Sequence, residues 1–532
     1  MRIDELITNY VKKHKSVFII GLFLFVIGLI CHGYMFFNKL PNLDEAGSVN
    51  GYLGVATPLG RWALPFTGIL NGPFSSPALN GSISLLLIIL SVFLISDVLN
   101  IRSHLAILCM GGVLISFPVI TSTFTFMYAS VAYMLSLFLE VLAVWLCVCD
   151  LSLCQKHPKI RFLLAACIMA GGIGIYQAYY QVACTLILIY GLQSFLKEDK
   201  QTVAQNAGKL ISLLALSMVI YYIMVKVGCF YTGKEMDAFY TAGSISELIG
   251  SIPHSILRCY SYFVSIFISD FRGISFNWIV RIPLLVLVLE GIALYEYLLF
   301  CKRKSILLGN FMLLLFPLAL GVIRLTMTSR SLDTLIIFSY SLLMVFPFAM
   351  LSAADASLKL KVSNLLWGTA LTGCLLLTWQ YAILSNNVYT TMDLAKTEAI
   401  SYYTTMITQI KSTQEYTDDL PICLLGTESN DTTVYDLSDY YKGDVRGTMT
   451  CDRFINMYSR HYFLSIYLGY DPAFIDWEDF LQDADDKTCK ILEKMPSYPD
   501  QGSIRVIDGT IIVKISDDYK EAPVETKKKV LD

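Results

Sequence analysis

Two adjacent acids, Asp44 and Glu45, lie in the segment that follows the first apolar run of the chain. Carboxylates next to a membrane helix are costly unless they are solvated, paired or used in function. A carboxylate within hydrogen-bonding reach of a hydroxyl can take its proton as the oxygen attacks a carbon atom. The pair therefore predicts Asp44 as a general base, with Glu45 sharing that role or positioning a substrate. The alternative is that both acids cap a short helix over residues 43–52.

Arginines on the same side of the apolar runs form a second group of candidates. Arg61 follows Gly60 in the acid-bearing loop, and Arg324 and Arg330 share a later loop. Arginine can hold phosphate oxygens in a bidentate manner, and fixed cations stabilise the charge that develops on a leaving phosphate. The three side chains are predicted to bind phosphate. Alternatively, Arg61 anchors the loop at the membrane surface, and the later pair binds Asp333 or lipid headgroups.

Aromatic and amide side chains near the ends of the same runs predict a surface that binds substrate hydroxyl groups. Aromatic rings offer flat faces with polar tips, and amides both donate and accept hydrogen bonds. A belt of aromatic residues at the membrane surface is the alternative explanation. The candidates are Trp62, Tyr128, Tyr176, Gln177, Tyr180 and Gln181.

The elements that must position these residues are membrane spans. The chain has 532 residues, of which 55% are hydrophobic and only 16% charged, whereas soluble domains carry about 25% charged residues. Its formal net charge of -3 gives no electrostatic footprint for nucleic-acid binding. About 20 apolar residues cross a bilayer as a helix. The sequence predicts eleven such spans, at 16–36, 81–99, 104–120, 128–150, 162–180, 181–197, 209–228, 278–300, 306–323, 334–354 and 364–384.

Lysine placement predicts the orientation of these spans. Lysine-rich short loops alternate with lysine-poor ones, and the positive-inside rule then puts the N-terminus in the cytoplasm. The acid-bearing loop, 37–80, and the segment 229–277 fall outside. Residues 245–269 mix apolar and polar residues and are predicted to lie on the membrane surface. Counting them as one more span would place the later lysine-rich loops on the wrong side.

The polar stretch after the last span predicts a small extracytoplasmic α/β domain over 385–516, leaving 1–384 as the membrane domain. Residues 392–416, 453–467 and 477–495 have helical patterns, and 422–426 reads as a buried strand. Asp508-Gly509 between two apolar runs predicts a β-hairpin with a type I′ turn. The charged residues 517–532 are predicted to be a disordered tail.

The acid pair, Gly60-Arg61-Trp62, the run from Tyr176 to Gln181 and the outer C-terminal domain together resemble a known family. They are similar to the phage serotype-conversion (Gtr-type) glucosyltransferases, which modify O-antigen and other cell-surface polysaccharides and belong to the GT-C class of integral membrane glycosyltransferases. The likeness lies in layout and short motifs over most of the first 385 residues.

The resemblance implies a bacterial plasma-membrane enzyme with a polyprenyl-phosphate sugar donor, usually of glucose, and a glycan acceptor outside the membrane. GT-C enzymes carry a catalytic acid in the first outer loop, and Asp44 is the match. An acidic DxD motif is absent, since Leu43-Asp44-Glu45 is only an acid pair. Some relatives use a divalent metal, but no metal-binding constellation stands out in this sequence, so no cofactor is assigned.

The sequence thus predicts an inverting, polyprenyl-phosphate-dependent hexosyltransferase whose partners are a lipid-linked sugar, a glycan acceptor and membrane lipid. One rival is a flippase or exporter of lipid-linked polysaccharide, which needs a polar path between the two faces. The polar residues here gather on one face and argue against it. A polymerase or ligase acting on lipid-linked sugars is the second rival, and it would depend on arginine pairs rather than on a base.

Overall fold

The computed structural model describes residues 14–42, 44, 48, 56–71, 74–149, 157–236, 245–325, 333–354, 359–427, 445, 447 and 459–520. The chain divides into two compact units. The first comprises Met1–Lys39, Ser48–Tyr389 and Tyr440–Cys451, and the second comprises Leu40–Gly47, Thr390–Asp439 and Asp452–Asp532.

The apolar runs form helices whose lengths suit a bilayer. Within the described ranges, eight helices are long and apolar enough to cross a membrane, and a ninth span results if a pair bent by 44° counts as one. The helices up to residue 232, including the bent pair α3 and α4, are α1 (Lys15–Phe37), α2 (Pro77–Val98), α3 (His104–Ser116), α4 (Pro118–Thr125), α5 (Met127–Val148), α6 (Pro158–Ile175), α7 (Tyr180–Lys197) and α8 (Lys200–Thr232).

The later helices include two full-length spans and several shorter apolar pieces. They are α9 (Ile245–Ile268), α10 (Trp278–Cys301), α11 (Ile306–Leu314), α12 (Phe316–Leu320), α13 (Leu342–Ala354) and α14 (Leu360–Lys411). The shorter apolar stretches Ile306–Leu320 and Phe338–Ala354 coincide with the ninth and tenth predicted runs. The long apolar helices make the chain a membrane protein, and the count of eleven spans remains a prediction.

Helix α9 has one buried side and one exposed side. It is not among the eight helices that are long and apolar enough to cross a membrane. Ser255 and Cys259 are buried on its inner side, whereas Leu257 and Ile268 are about 70% exposed. The inner side packs on the 3₁₀ turn Val322–Leu325, and the Cys259 thiol donates to the carbonyl of Gly321. This pattern is typical of a helix at a membrane surface.

A buried histidine ties three helices of the first unit together. The imidazole of His32 in α1 shares a hydrogen bond of 2.8 Å with the Tyr389 hydroxyl of α14 and one of 3.0 Å with the Ile115 carbonyl of α3. Because the carbonyl can only accept, Nε2 carries the proton and Nδ1 accepts from the tyrosine. The last turns of the first span, which lead into the acid-bearing loop, are thereby fixed.

The second unit contains a four-stranded mixed sheet of β1 (Ile422–Leu425), β2 (Phe474–Ile475), β3 (Ile504–Ile507) and β4 (Thr510–Lys514), in the order β2-β1-β4-β3. Strands β2 and β4 run parallel to β1, and β3 is antiparallel to β4. Buried Cys423, Trp477 and Ile512 belong to its core. Two helices lie between β2 and β3, α15 (Trp477–Asp483) and α16 (Asp486–Lys494).

Local sequence signals set several of these elements. The predicted hairpin is present, and both Asp508 and Gly509 have the positive φ angles, 48° and 77°, that a type I′ turn requires. The last span and the predicted helix 392–416 are one continuous helix, α14, because no glycine or proline interrupts residues 374–411.

Residues 517–520 of the predicted tail are among the described residues. Asp518 lies in a 3₁₀ turn (Asp518–Lys520), and its carboxylate accepts from the backbone N–H of Thr427 at 3.0 Å. This bond fastens the segment after β4 to the end of β1. Residues 521–532 of the predicted tail lie outside the described residues.

Candidate functional site

The loop after the first span forms a tight turn around Arg61. A short 3₁₀ helix, Thr57–Leu59, ends at Gly60, whose φ of 72° is left-handed. The Arg61 backbone N–H then donates to the Ala56 carbonyl at 2.9 Å and closes the turn. Glycine adopts left-handed angles without a steric penalty, which explains its position directly before the arginine.

The Arg61 guanidinium is held by two tyrosines. Its Nη1 donates to the Tyr133 hydroxyl of α5 at 3.3 Å, and its Cζ lies 5.0 Å from the centre of the Tyr176 ring. The two tyrosine rings are stacked, 4.1 Å apart and 13° from parallel. Both are nearly fully buried, at 6% and 4% exposure. A guanidinium over an aromatic face is stabilised electrostatically, so the cation has a fixed place.

Gln177 and Tyr221 contact the same turn at Leu59 and Gly60. The amide of Gln177 donates to the Leu59 carbonyl at 2.7 Å and to the Tyr221 hydroxyl of α8 at 3.2 Å. A Cβ atom on Gly60 would lie 2.5 Å from that hydroxyl. The turn therefore needs glycine for space as well as for its backbone angle.

Trp62 packs into a gap between helices. The Ala63 N–H donates to the Gly174 carbonyl of α6 at 2.9 Å, and a side chain at Gly174 would overlap the indole nitrogen of Trp62. That nitrogen is buried and has no hydrogen-bond partner among the described residues. A buried donor of this kind is costly unless a ligand or water accepts from it.

Two acids with described positions belong to different units of the chain. Asp333 accepts from the Leu335 N–H at 3.0 Å, and it lies close enough to Tyr176 to act on it electrostatically, as Arg61 does. Asp44 belongs to the second unit, where its N–H donates to the Asn42 side chain at 3.0 Å. Glu45 lies outside the described residues.

The model of the GtrII glucosyl transferase family matches residues 33–352. The chain belongs to this family. The match confirms the resemblance inferred from the acid pair, Gly60-Arg61-Trp62 and the Tyr176–Gln181 run, all of which lie inside the matched range. No curated protein and no solved structure matches the chain.

In this GtrII glucosyl transferase, the predicted substrate-binding residues do not all meet. Arg61, Trp62, Tyr176 and Gln177 form one cluster around the turn. The Tyr180 hydroxyl instead donates to the Leu214 carbonyl of α8 at 3.2 Å, which makes it a link between helices.

Gln181 has a hydrogen-bond partner outside the Arg61 turn. The Gln181 amide is fully buried and donates to the Ile336 carbonyl, while its oxygen has no partner among the described residues. Gln177 lies in the 3₁₀ turn before α7 and Gln181 in its first helical turn, so the two amides reach different neighbours. Tyr128 is half-buried in the first turn of α5.

Arg324 lies in a different neighbourhood from Arg61. It is 4% exposed, in the 3₁₀ turn Val322–Leu325, and acts electrostatically on Cys259 of α9. Arg330 lies outside the described residues. Asp270 forms an ion pair with Arg281 of α10.

Tyr133 and Tyr221 are site residues that the sequence did not indicate. Each lies inside an apolar run, where a tyrosine looks like any other span residue. Their role follows only from the helix packing that brings α5, α6 and α8 together. Among the described residues, no group of three or more His, Cys, Asp or Glu side chains is arranged to hold a metal ion.

Gly174→Ala is expected to displace the Trp62 indole, because the new methyl group would occupy its space. Overpacking of this kind costs about 1–3 kcal/mol, and the displaced loop should also lower the transfer rate. Gly171→Ala is the matched control, since Gly171 lies in the same helix and a Cβ there meets nothing within 4 Å. Thermal unfolding in detergent and transferase assays measure both effects. Equal behaviour of the two variants would contradict the packing described for Trp62.

Proposed function

We propose that this GtrII glucosyl transferase moves glucose from a polyprenyl-phosphate donor to a cell-surface glycan at the outer face of the bacterial plasma membrane, with inversion of the anomeric centre. Family membership supports glucosyl transfer, and the apolar helices support a substrate delivered by lipid. The donor class, the face of the membrane and the stereochemistry are our inferences.

The observation that carries the proposal is the fixed Arg61 guanidinium among Tyr133, Tyr176 and Gln177. These residues belong to α5 and to the junction between α6 and α7, which are membrane-length helices. A cation at the ends of spans can meet a phosphate that is anchored in lipid. Preorganised cations stabilise the charge that a departing phosphate gains in the transition state.

In the proposed step, an acceptor hydroxyl oxygen forms a bond to the anomeric carbon of the donor. The bond from that carbon to the phosphate oxygen breaks, and its electron pair stays on the polyprenyl phosphate. The hydroxyl proton goes to the carboxylate of Asp44 as general base. One displacement inverts the anomeric centre. Arg61 would stabilise the phosphate, and Arg324 and Arg330 are further candidates for that role.

Charge placement supports the proposed topology. With the N-terminus in the cytoplasm, the loops rich in lysine lie inside and the loop that carries Asp44 and Arg61 lies outside. Eleven spans follow if the bent pair α3–α4 and the shorter apolar stretches Ile306–Leu320 and Phe338–Ala354 also cross. The C-terminal α/β elements are then outside the cytoplasm, where they would bind the acceptor glycan, and α9 would lie along the membrane surface near the lipid tail of the donor.

Sugar transfer by the purified protein tests this proposal. Polyprenyl-phosphate glucose labelled at the sugar would be offered with a cell-surface glycan extract, and nucleotide-linked glucose would be offered in parallel. We expect transfer from the lipid donor only, with product and donor of opposite anomeric configuration by NMR. Transfer from the nucleotide sugar alone would overturn the donor class, and retained configuration would overturn the single displacement.

A further inference from the structure

Two tyrosine hydroxyls lie at the Arg61 turn and each accepts a hydrogen bond there. The Tyr133 hydroxyl accepts from Arg61 at 3.3 Å, and the Tyr221 hydroxyl accepts from Gln177 at 3.2 Å. A phenol that accepts one hydrogen bond still has its own proton to donate. Within the part of the chain that the structure describes, neither proton has an acceptor.

We propose that Tyr133 and Tyr221 donate these protons to the phosphate oxygens of the lipid donor, and so complete with Arg61 an anion-binding site of one cation and two hydroxyls. The inference rests on the proposed function, since it takes a phosphate on a lipid as the ligand. It assigns direct binding roles to two residues that lie inside apolar spans.

The position of each hydroxyl is fixed before a ligand arrives. The Tyr133 ring is stacked on Tyr176 and nearly fully buried, so it has little freedom to turn away. The Tyr221 hydroxyl lies against Gly60, where a Cβ atom would approach it to 2.5 Å. Donors that are oriented in advance need no reorganisation when charge develops on the ligand.

Arg61 brings the two hydroxyls into one electrostatic environment. It bonds directly to Tyr133, and it lies close enough to Tyr221 to act on that hydroxyl electrostatically. Beside a cation, the hydroxyl oxygen faces the guanidinium and the proton points away from it. An anion that binds Arg61 can therefore accept from both hydroxyls, and hydrogen bonds to an ionised acceptor are about twice as strong as neutral ones.

Binding of polyprenyl phosphate, the product left after transfer, tests the inference on the full-length protein. Tyr133→Phe and Tyr221→Phe remove only the hydroxyl and keep the ring. We expect each to raise the Kd for polyprenyl phosphate about tenfold or more. The matched control is Tyr222→Phe, because Tyr222 is the next residue of α8 and is 58% exposed. The control should bind as the parent does, and thermal unfolding checks that the variants are folded.

A second comparison separates direct binding from mere support of Arg61. In an Arg61→Ala background, a tyrosine that only positions the arginine has nothing left to position. We expect Tyr133→Phe to weaken binding several-fold further in that background, and an unchanged Kd there would overturn the direct role. If the parent binds polyprenyl phosphate but both phenylalanine variants bind equally well, the tyrosine assignment fails while the proposed function stands. If the parent itself does not bind polyprenyl phosphate, the proposed donor class fails as well.

Discussion

Asp44→Asn is expected to lower the rate of glucose transfer by about 10²–10⁴-fold, because we propose Asp44 as the general base and a general base usually contributes that much. Asparagine has nearly the same size and can still donate and accept hydrogen bonds, but it cannot take the proton of the attacking hydroxyl. The turnover rate is measured at saturating donor and acceptor, so that the chemical step rather than binding is compared.

Two further variants make this test specific. Asp483→Asn removes one negative charge at an exposed position of α15, in the same unit as Asp44, and should leave the rate unchanged. Asp333→Asn tests a different acid, one that acts electrostatically on Tyr176. A large loss in Asp333→Asn together with normal turnover in Asp44→Asn would refute the assignment and move the base to Asp333.

The expected effect of Glu45→Gln depends on which of its two predicted roles Glu45 has. If it shares the role of base, Glu45→Gln and Asp44→Asn should each leave a residual rate that the double variant abolishes. If it only positions substrate, Glu45→Gln should raise KM and leave kcat nearly unchanged, because binding that is equal in ground and transition state does not change kcat.

The elements that the sequence predicted well are those set by neighbouring residues. The Asp508-Gly509 hairpin needs only two left-handed residues between two apolar runs, and the strand at 422–425 needs only a short buried stretch. The GtrII family was evident from short motifs for the same reason, since each lies within a few consecutive residues.

The parts that the sequence could not predict depend on packing between distant residues. Tyr133 is 72 positions from Arg61, and nothing distinguishes it in the sequence from other tyrosines in spans. The motif around Gln177 and Gln181 predicted that both amides bind substrate. The sequence did not indicate that Gln177 donates to the Leu59 carbonyl of the Arg61 turn, whereas Gln181 donates to the Ile336 carbonyl. That difference arises where the 3₁₀ turn passes into α7, a change of helix geometry that the residue types do not reveal.

Arg61→Ala is expected to lower the transfer rate by about 10²–10³-fold, the typical effect of removing one preorganised group that stabilises developing charge. With the proposed polyprenyl-phosphate donor, the phosphate gains charge as its bond to the sugar breaks, so kcat should fall more than donor binding weakens. Arg61→Lys restores the charge but not the planar fork, so its rate should stay well below that of the parent. Arg102→Ala controls for loss of a single arginine, since Arg102 is exposed and pairs with Asp97.

The Arg324→Ala variant distinguishes two possible places for the group that stabilises the phosphate. One is the Arg61 turn, and the other is the region beside α9. Arg61 is fixed by Tyr133 and Tyr176, whereas Arg324 is buried in the 3₁₀ turn that packs on α9. If Arg61 stabilises the leaving phosphate, Arg324→Ala should change kcat much less than Arg61→Ala does. A larger fall in kcat for Arg324→Ala than for Arg61→Ala would place the departing phosphate near α9. The Tyr133–Tyr176 stack would then serve only to hold the loop, because a cation far from the breaking bond contributes little to its transition state.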